Sequence, residues 1–334
     1  MTWLFLCCSL LSAPSDAAAP AAADRPTLVV VVGAEGEPEY GREFAKWADR
    51  WGAASASASA ELLVVGRDEA SASATDKQRL QSLLDGECKK PAPAAPLWLV
   101  FIGHGTYDGK EAKFNLRGPD VSDVELAEWL KPCRRPLAVI DCSSASAPFL
   151  NRLSGDNRVV ITATRTGSEN NFARFGDQFS AAIADPAADL DKDGQTSLLE
   201  AYLAASHRVE EFYKQEGRLP TEHALLDDNG DKLGTPAAWF QGVRATRAAK
   251  DGAPLDGPRA AQWHLVRSAA EQAMPPELRA KRDDLELKIE ALRAKKASMP
   301  EAEYYRQLEG LLLDLARVYE RQPPPTGQPS DSAR

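Results

Sequence analysis

Two reactive side chains each follow a run of large apolar residues. His104 stands between two glycines in LWLVFIGHGTYDG at 97–109. Cys142 follows a second apolar run, PLAVID at 136–141, and lies 38 residues beyond His104. A thiolate and an imidazole at one edge of a sheet suit acyl transfer, because the thiolate attacks a carbonyl and the imidazole moves the proton. The backbone N–H groups of Gly105 and Cys142 are the candidate oxyanion donors.

Both side chains also have an ordinary structural interpretation. A cysteine at a strand end is commonly a small buried hydrophobic residue. A histidine between glycines commonly makes structural hydrogen bonds. The placement of both residues directly after strands favours catalysis, and a noncatalytic scaffold on the same fold is the alternative. A transpeptidase would use the same thiol but pass the acyl group to an amine.

Strand and helix patterns alternate along the first two thirds of the chain. Buried strands are predicted from the β-rich runs at 27–33, 61–66, 136–141 and 158–163 and from the run before His104. One helix is predicted around Tyr40 and Trp47, which fall on the same face at helical spacing. Further helices are predicted at 75–86, 121–130, about 146–153 and about 170–184. This alternation predicts an α/β fold, a three-layer sandwich with a mostly parallel central sheet. Sites in such sheets lie beyond the carboxyl ends of the strands, where His104 and Cys142 are expected.

The residues around the two side chains resemble those of a known enzyme family. LVFIGHG and AVIDCSSAS are similar to strand ends of the caspase-like clan of cysteine peptidases, within it the legumain-type family. The resemblance implies a peptidase domain at 25–234 that hydrolyses peptide bonds in a protein or peptide substrate. It also implies Cys142 as the nucleophile and His104 as the general acid and base. The chain departs from the family pattern, since DCSS replaces Ala-Cys-Glu-Ser and Ser144 replaces a frequent glycine.

The substrate pocket is less clearly marked in the sequence. Arg42, Arg165 and Glu169 lie in predicted loops and are the candidate substrate-binding residues. These residues do not predict which substrate residue is preferred directly before the cleaved bond.

The segment DLDKDGQTSLLE at 189–200 matches the calcium-loop pattern D-x-[DN]-x-[DN]-G-x5-E at every required position. The predicted ligands are oxygen atoms of Asp189, Asp191, Asp193, Gln195 (its backbone carbonyl) and Glu200. Because the loop follows the last core strand and offers nothing to acyl transfer, we predict a structural Ca²⁺. A solvated acidic turn that caps the next helix is the alternative.

A second acidic segment, LLDDNGDKLG at 225–234, matches the same pattern in part. Asp227, Asn229 and Asp231 have the required spacing, but Lys232 replaces the turn glycine and no Glu follows at the twelfth position. The segment is therefore interpreted as an incomplete second calcium loop or as a tight Asn-Gly turn.

The two ends of the chain differ in composition from its centre. Residues 1–24 combine an apolar run with small residues, which predicts a signal peptide and an exported, periplasmic or extracellular protein. Residues 235–275 are interpreted as a loop-rich connector. Two leucine stripes within 276–322, separated by Pro300, predict a helical hairpin that packs on itself or pairs with a second chain. Residues 323–334 are predicted to be disordered.

Composition excludes several classes of partner. The net charge of −9 predicts no nucleic-acid partner, because phosphate binding needs a basic face. Apolar runs of about 18 residues are missing from the sequence, which predicts no transmembrane segment. Beyond the leader, Cys88, Cys133 and Cys142 cannot all pair within one chain, and a disulfide between the first two would leave Cys142 free.

Overall fold

The computed structural model describes residues 25–68, 73–90 and 95–321. The predicted signal peptide and the predicted disordered tail lie outside these residues. The strands are β1 (Thr27–Val32), β2 (Glu61–Val65), β3 (Leu97–Ile102), β4 (Gly105–Tyr107), β5 (Ala112–Phe114), β6 (Val121–Ser122), β7 (Leu137–Asp141), β8 (Arg158–Thr162), β9 (Leu225–Asp227), β10 (Thr235–Pro236), β11 (Phe240–Gln241) and β12 (Arg244–Ala245). The α-helices are α1 (Pro38–Ser57), α2 (Asp76–Cys88), α3 (Asp123–Leu130), α4 (Ala147–Leu153), α5 (Phe175–Ala182), α6 (Leu198–Gln215), α7 (Pro258–Gln262), α8 (Ala269–Ala273), α9 (Pro276–Ala294) and α10 (Glu301–Glu320).

Seven strands form the central sheet, in the order β10-β9-β8-β7-β3-β1-β2. The strands from β8 to β2 run parallel, whereas β9 and β10 add an antiparallel edge. Every residue of β1, β3 and β7 is buried. Such strands are continuously apolar because both faces of the sheet are covered. The predicted α/β fold with a mostly parallel central sheet is confirmed.

Helices cover both faces of the sheet and make it the middle of three layers. One face packs against α1, α5 and α6, with Trp47 and Tyr202 among the largest buried side chains. The other face packs against α2, α3 and α4, for example through Leu84. Successive residues of a strand point to opposite faces, so Ile140 and Cys142 belong to the first core.

The strand order places a switch point between β1 and β3. The chain runs from β1 outward to β2 and then returns to the other side of β1 to form β3. In open α/β sheets, ligand sites form outside the carboxyl ends of the strands at such a point. The loops that follow β1 and β3 therefore flank the position at which a site is expected.

Capping side chains decide where several helices begin. Ser122 and Glu125 form a reciprocal capping box at α3, as the sequence predicts. The helix predicted from about residue 170 begins at Phe175 instead. The reason is a distant residue, because the carboxylate of Glu222 accepts the N–H of Phe175 (2.9 Å) and of the residue before it (2.9 Å). This cap is formed by tertiary structure and has no local sequence signal.

The C-terminal third of the chain contains several short elements and two long helices. The segment interpreted as a connector holds the β11–β12 ladder, α7 and α8. Helices α9 and α10 pack against each other in the predicted hairpin, and α9 also contacts α7. Among the described helices, none combines the length and apolar character needed to cross a bilayer.

Candidate functional site

His104 lies at the switch point, half-buried beyond the end of β3. Its Nε2 lies 3.3 Å from the carbonyl oxygen of Glu35 in the loop after β1. When Nε2 carries the proton, this contact is a hydrogen bond and Nδ1 is left as a proton acceptor. The ring packs against Tyr40, Phe44 and Phe172 at centroid distances of 5.0, 5.2 and 6.1 Å. Burial among these rings lowers the pKa of His104, which keeps the imidazole neutral at neutral pH.

Gly105 lets the segment after β3 approach the end of β7. A Cβ on this glycine would lie 2.2 Å from the carbonyl oxygen of Ser144 and 2.9 Å from Oγ of Ser143. The Gly105 N–H donates to Oγ of Ser144 at 3.2 Å, so this predicted oxyanion donor is engaged within the protein. A residue with a side chain cannot fit here without displacing backbone.

Cys142 is part of the first hydrophobic core. Its exposed fraction is 1%, and its Cβ and the Trp47 ring both lie within 2.8 Å of where a Cβ on Gly176 would stand. Its N–H, the second predicted oxyanion donor, donates to the carbonyl of Phe101 at 3.0 Å. Burial, followed by the charge of Asp141, raises the pKa of the thiol well above its ordinary value. In this conformation Cys142 has the surroundings of a packed core residue.

The predicted pair lies at the same edge of the sheet, His104 beyond the end of β3 and Cys142 beyond the end of β7. Within the described ranges, no hydrogen bond joins the Cys142 thiol to His104. Aromatic side chains pack near both residues, since Phe44 contacts His104 (5.2 Å) and Trp47 (5.5 Å), and the Trp47 ring and Cys142 both lie against Gly176. Both residues lie at the strand ends that the sequence predicts, and side chains of α1 pack near each of them.

Ser143 is a strand-end residue that the sequence reasoning missed. Its Oγ faces Gly105 and donates to Oδ1 of Asp141 at 2.6 Å. Asp141 is 1% exposed, and its Oδ2 has no hydrogen-bond partner among the described residues. Burial raises the pKa of Asp141 to about 7. Strand alternation is the signal that could have identified Ser143, because it directs this residue away from the side that Cys142 faces.

The three predicted substrate-binding residues lie in two places. Arg165 pairs with Glu169 at 3.3 Å, and Glu169 also lies 2.7 Å from Nδ1 of His223. These contacts bind the loop after β8 to the segment before β9. Arg42 lies on α1 and lines a separate cavity.

The cavity that contains Arg42 adjoins the rings around His104. Its volume is about 570 Å³, and Tyr40 and Phe172 form part of its wall. The charged side chains that line it are Glu39, Arg42, Glu43, Arg174 and Arg218. Three basic and two acidic side chains therefore line this cavity.

The ligand side chains of the predicted calcium loop converge. The side chains with a carboxylate oxygen within 4.8 Å of the others are Asp189, Asp191 and Asp193. Glu200 folds back over the loop, accepting the N–H of Leu190 at 2.6 Å and of Ser197 at 2.8 Å. Convergent carboxylates and a backbone carbonyl are the donor set of a hard cation such as Ca²⁺, so the residues present fit the ion.

The second acidic segment lies between β9 and β10. Asp227, Asn229 and Asp231 each accept backbone N–H groups from within this segment. Its turn is tight, as the Asn-Gly interpretation requires.

Cys88 and Cys133 lie side by side at the ends of α2 and α3. Both are free thiols, and the interaction between them raises the pKa of Cys88. The disulfide considered from the sequence is therefore not formed in this structure.

No protein-family profile matches the chain, and no curated protein is significantly similar to it in sequence. Similar solved structures include the Drosophila initiator caspase Dronc, with 15% identity and a TM-score of 0.44 over 64% of this chain and 83% of that one. Caspase-1 from Spodoptera frugiperda matches with 7% identity and a TM-score of 0.40, over 66% and 94% of the two chains. Protein GSU0716 from Geobacter sulfurreducens matches with 11% identity and a TM-score of 0.40, over 61% and 92%. The likeness is one of architecture and assigns no activity to this chain.

Proposed function

We propose that the chain is a peptide-bond hydrolase acting at the carboxyl edge of β3 and β7, with His104 as the group that moves the proton. The observation that carries this proposal is the position of His104 at the switch point, with Nε2 against the Glu35 carbonyl. This contact leaves Nδ1 to accept a proton. A neutral imidazole is the form that a general base requires, and burial lowers the pKa of His104 accordingly.

Cys142 is the proposed nucleophile, and its burial makes the described conformation a latent one. His104 would take the thiol proton and the thiolate would attack the peptide carbonyl, expelling the amine with that proton and leaving a thioester. Water would then hydrolyse the thioester and free the thiol. Activation requires Trp47 and Gly176 to move away from the thiol. Ser143 is the competing nucleophile, because its Oγ already faces Gly105.

Acidic peptide segments are the proposed substrates. The cavity beside His104 carries more basic than acidic side chains. Arg165 and Glu169 neutralise each other and leave Arg42 as the substrate-binding candidate of the original three. An aspartate or glutamate side chain of the substrate would form a charge-assisted hydrogen bond with a guanidinium here.

A structural Ca²⁺ in loop 189–200 is part of the proposal. Its supports are the convergence of three carboxylates and the fold-back of Glu200. The loop leads directly into α6, whose Leu199 and Tyr202 are core residues. Calcium would therefore stabilise the folded domain by mass action and take no part in the chemistry.

Peptide cleavage by matched variants tests the proposal. The full chain is incubated with Ca²⁺ and a peptide pool rich in aspartate and glutamate, before and after limited proteolysis, and products are identified by mass spectrometry. We expect cleavage that falls about 10³-fold or more in both His104→Ala and Cys142→Ala and stays near wild type in Ser143→Ala. Loss in Ser143→Ala alone among the nucleophile variants would reassign the nucleophile. Cleavage that survives His104→Ala would overturn the proposed site.

A noncatalytic calcium-binding scaffold is the second candidate, favoured by the burial of Cys142. A thiol that is 1% exposed and has a raised pKa has the properties of an inert packed cysteine. Iodoacetamide labelling of the native protein separates the candidates, with half-buried Cys133 as the internal reference. Labelling of Cys142 at least as fast as Cys133 supports the peptidase. A Cys142 that is labelled only after unfolding, in a protein that cleaves nothing, supports the scaffold.

A further inference from the structure

In loop 189–200, carboxylates hold the backbone in a repeating pattern. The two oxygens of Asp189 accept N–H groups from the residues three and five positions later, Lys192 (2.6 Å) and Gly194 (3.1 Å). Both of those residues have left-handed backbones, with φ of +64° and +89°. This pattern turns the chain around the oxygens that would bind the ion.

Loop 227–235 repeats this pattern at the same spacing. The two oxygens of Asp227 accept the N–H groups of Gly230 and Lys232, three and five positions later, both at 2.9 Å. These two residues also have left-handed backbones, with φ of +82° and +71°. Lys232 thus adopts the conformation that Gly194 has in the first loop, and the lysine does not prevent the calcium-loop turn.

Glu200 closes the first loop from the twelfth position. Its Oε1 accepts the N–H groups of the second and third loop residues, Leu190 (2.6 Å) and Asp191 (3.1 Å). Its Oε2 accepts the hydroxyl of the ninth residue, Ser197, at 2.8 Å. These three contacts define the place of the closing carboxylate.

Asp256 takes the same place in loop 227–235, although it lies far along the chain. Its Oδ1 accepts the N–H groups of the second and third loop residues, Asp228 (3.0 Å) and Asn229 (3.2 Å). Its Oδ2 accepts the hydroxyl of the ninth residue, Thr235, at 2.6 Å. The ligand that the sequence lacks at the twelfth position is therefore supplied by another segment.

One carboxylate oxygen of this loop has no partner. Oδ1 of Asp231 accepts the N–H of Leu233 at 2.8 Å, but Oδ2 is shielded from solvent and receives no hydrogen bond from any described residue. Asp227 and Asp256 are each 1% exposed. In the described part of the chain, no basic side chain forms an ion pair with any of these three carboxylates. Buried carboxylates such as those of Asp227 and Asp256 are costly unless a cation balances them, and Asp231, which is half-buried, adds one shielded oxygen.

We propose that this loop binds a second Ca²⁺ through oxygens of Asp227, Asn229, Asp231, Leu233 (its backbone carbonyl), Thr235 and Asp256. A site of several carboxylate and carbonyl oxygens suits calcium better than the smaller, strictly octahedral Mg²⁺, which usually keeps several waters. Asp228 accepts the N–H groups of Gly257, Arg259 and Ala260 and so caps α7. The ion therefore fastens the start of α7 to the β9–β10 edge of the sheet. This inference is independent of the proposed peptidase activity.

Calcium stoichiometry tests the inference directly. The full chain is stripped with chelator, titrated with Ca²⁺ by calorimetry, and examined by native mass spectrometry. We expect two ions in the wild type, one in Asp256→Asn, one in the matched control Glu200→Gln and none in the double variant. Each substitution removes one charge and keeps the side-chain size. A wild type with a single ion that Glu200→Gln abolishes, or an Asp256→Asn protein that still binds two ions with wild-type affinity, overturns the inference.

The Asp231→Asn variant separates a loss of metal binding from a loss of folding. This variant keeps an acceptor for the Leu233 N–H and removes only the charge of the carboxylate with the unpartnered oxygen. We expect a metal-free melting temperature equal to or above that of the wild type, and at least tenfold weaker binding of the second ion. A lower metal-free melting temperature with unchanged calcium affinity would show that Asp231 has a structural role without metal, and would overturn the inference.

Discussion

Loop 189–200 and the strand-end site around His104 and Cys142 carry the two strongest chemical patterns in the sequence, and the structure treats them differently. In the loop, the carboxylates converge because N–H groups a few residues away hold them. At the strand ends, both residues reach the expected edge, but the Cys142 thiol points into a hydrophobic core. A sequence pattern within one loop predicts how its side chains are arranged. Patterns on two separate strands predict only that the strand ends lie at the same edge of the sheet, and they do not predict toward which layer each side chain points.

The largest predicted effect is a pH dependence of stability that results from the burial of Asp141 at the end of β7. Burial raises the pKa of Asp141 to about 7 from an ordinary value near 3.8, so the folded protein retains a proton that the unfolded chain has released. Stability from this group is therefore fully present below about pH 4 and is lost as the pH rises through about 7. The loss amounts to about 4 kcal/mol of unfolding free energy.

Urea unfolding of the wild type and Asp141→Asn across pH 4–8, at fixed calcium concentration, measures this effect. The variant lacks the titrating carboxyl, so its unfolding free energy should rise relative to the wild type as the pH increases. Parallel pH profiles for the two proteins would mean that solvent reaches the end of β7 and that the comparison with the open loop fails.

A second prediction concerns the thiol itself. Cys142→Ser should lower the unfolding free energy by about 2 kcal/mol, because a hydroxyl beside Trp47 and Gly176 would be buried without a partner. Chemical denaturation checks the value, and Cys142→Ala, which adds no polar group, is the matched control. A serine variant as stable as the wild type would indicate polar, accessible surroundings and would bring the strand end closer to an open active site.

The smallest predicted effect distinguishes two helix caps of the same kind. Ser122 and Ser197 both form capping boxes, but only Ser197 also bonds the residue proposed to close the calcium loop, Glu200. Each serine-to-alanine substitution should cost about 1 kcal/mol in chelator. With Ca²⁺ the cost should grow by about 1.4 kcal/mol for Ser197→Ala alone, because the affinity of this variant for the ion falls about tenfold. Thermal melts with and without calcium measure both costs. If calcium changes the melting temperatures of the two variants equally, Ser197 does not contribute to ion binding.

Much of the fold follows from patterns of short range. The apolar runs that become β1, β3 and β7, and the capping box of α3, predict their elements correctly. The start of α5 is predicted about five residues early, because its cap comes from Glu222 on a distant segment. The three predicted substrate-binding residues do not share one site for a similar reason. Glu169 pairs with Arg165 and with the distant His223, whereas Arg42 lines a cavity that contains neither Arg165 nor Glu169.

The sequence by itself determined the strands, the helix starts with local caps and the calcium-loop pattern at 189–200, because each depends on contacts between residues close together in the chain. Tertiary structure decided which way the ends of β3 and β7 present their side chains. It turned Cys142 into the core beside α1 and α5 and brought Ser143 to Gly105. It also brought Asp256 to loop 227–235, where its carboxylate accepts the hydroxyl of Thr235, a residue 21 positions earlier in the chain. Such contacts depend on the packing of whole elements, and no local spacing encodes them.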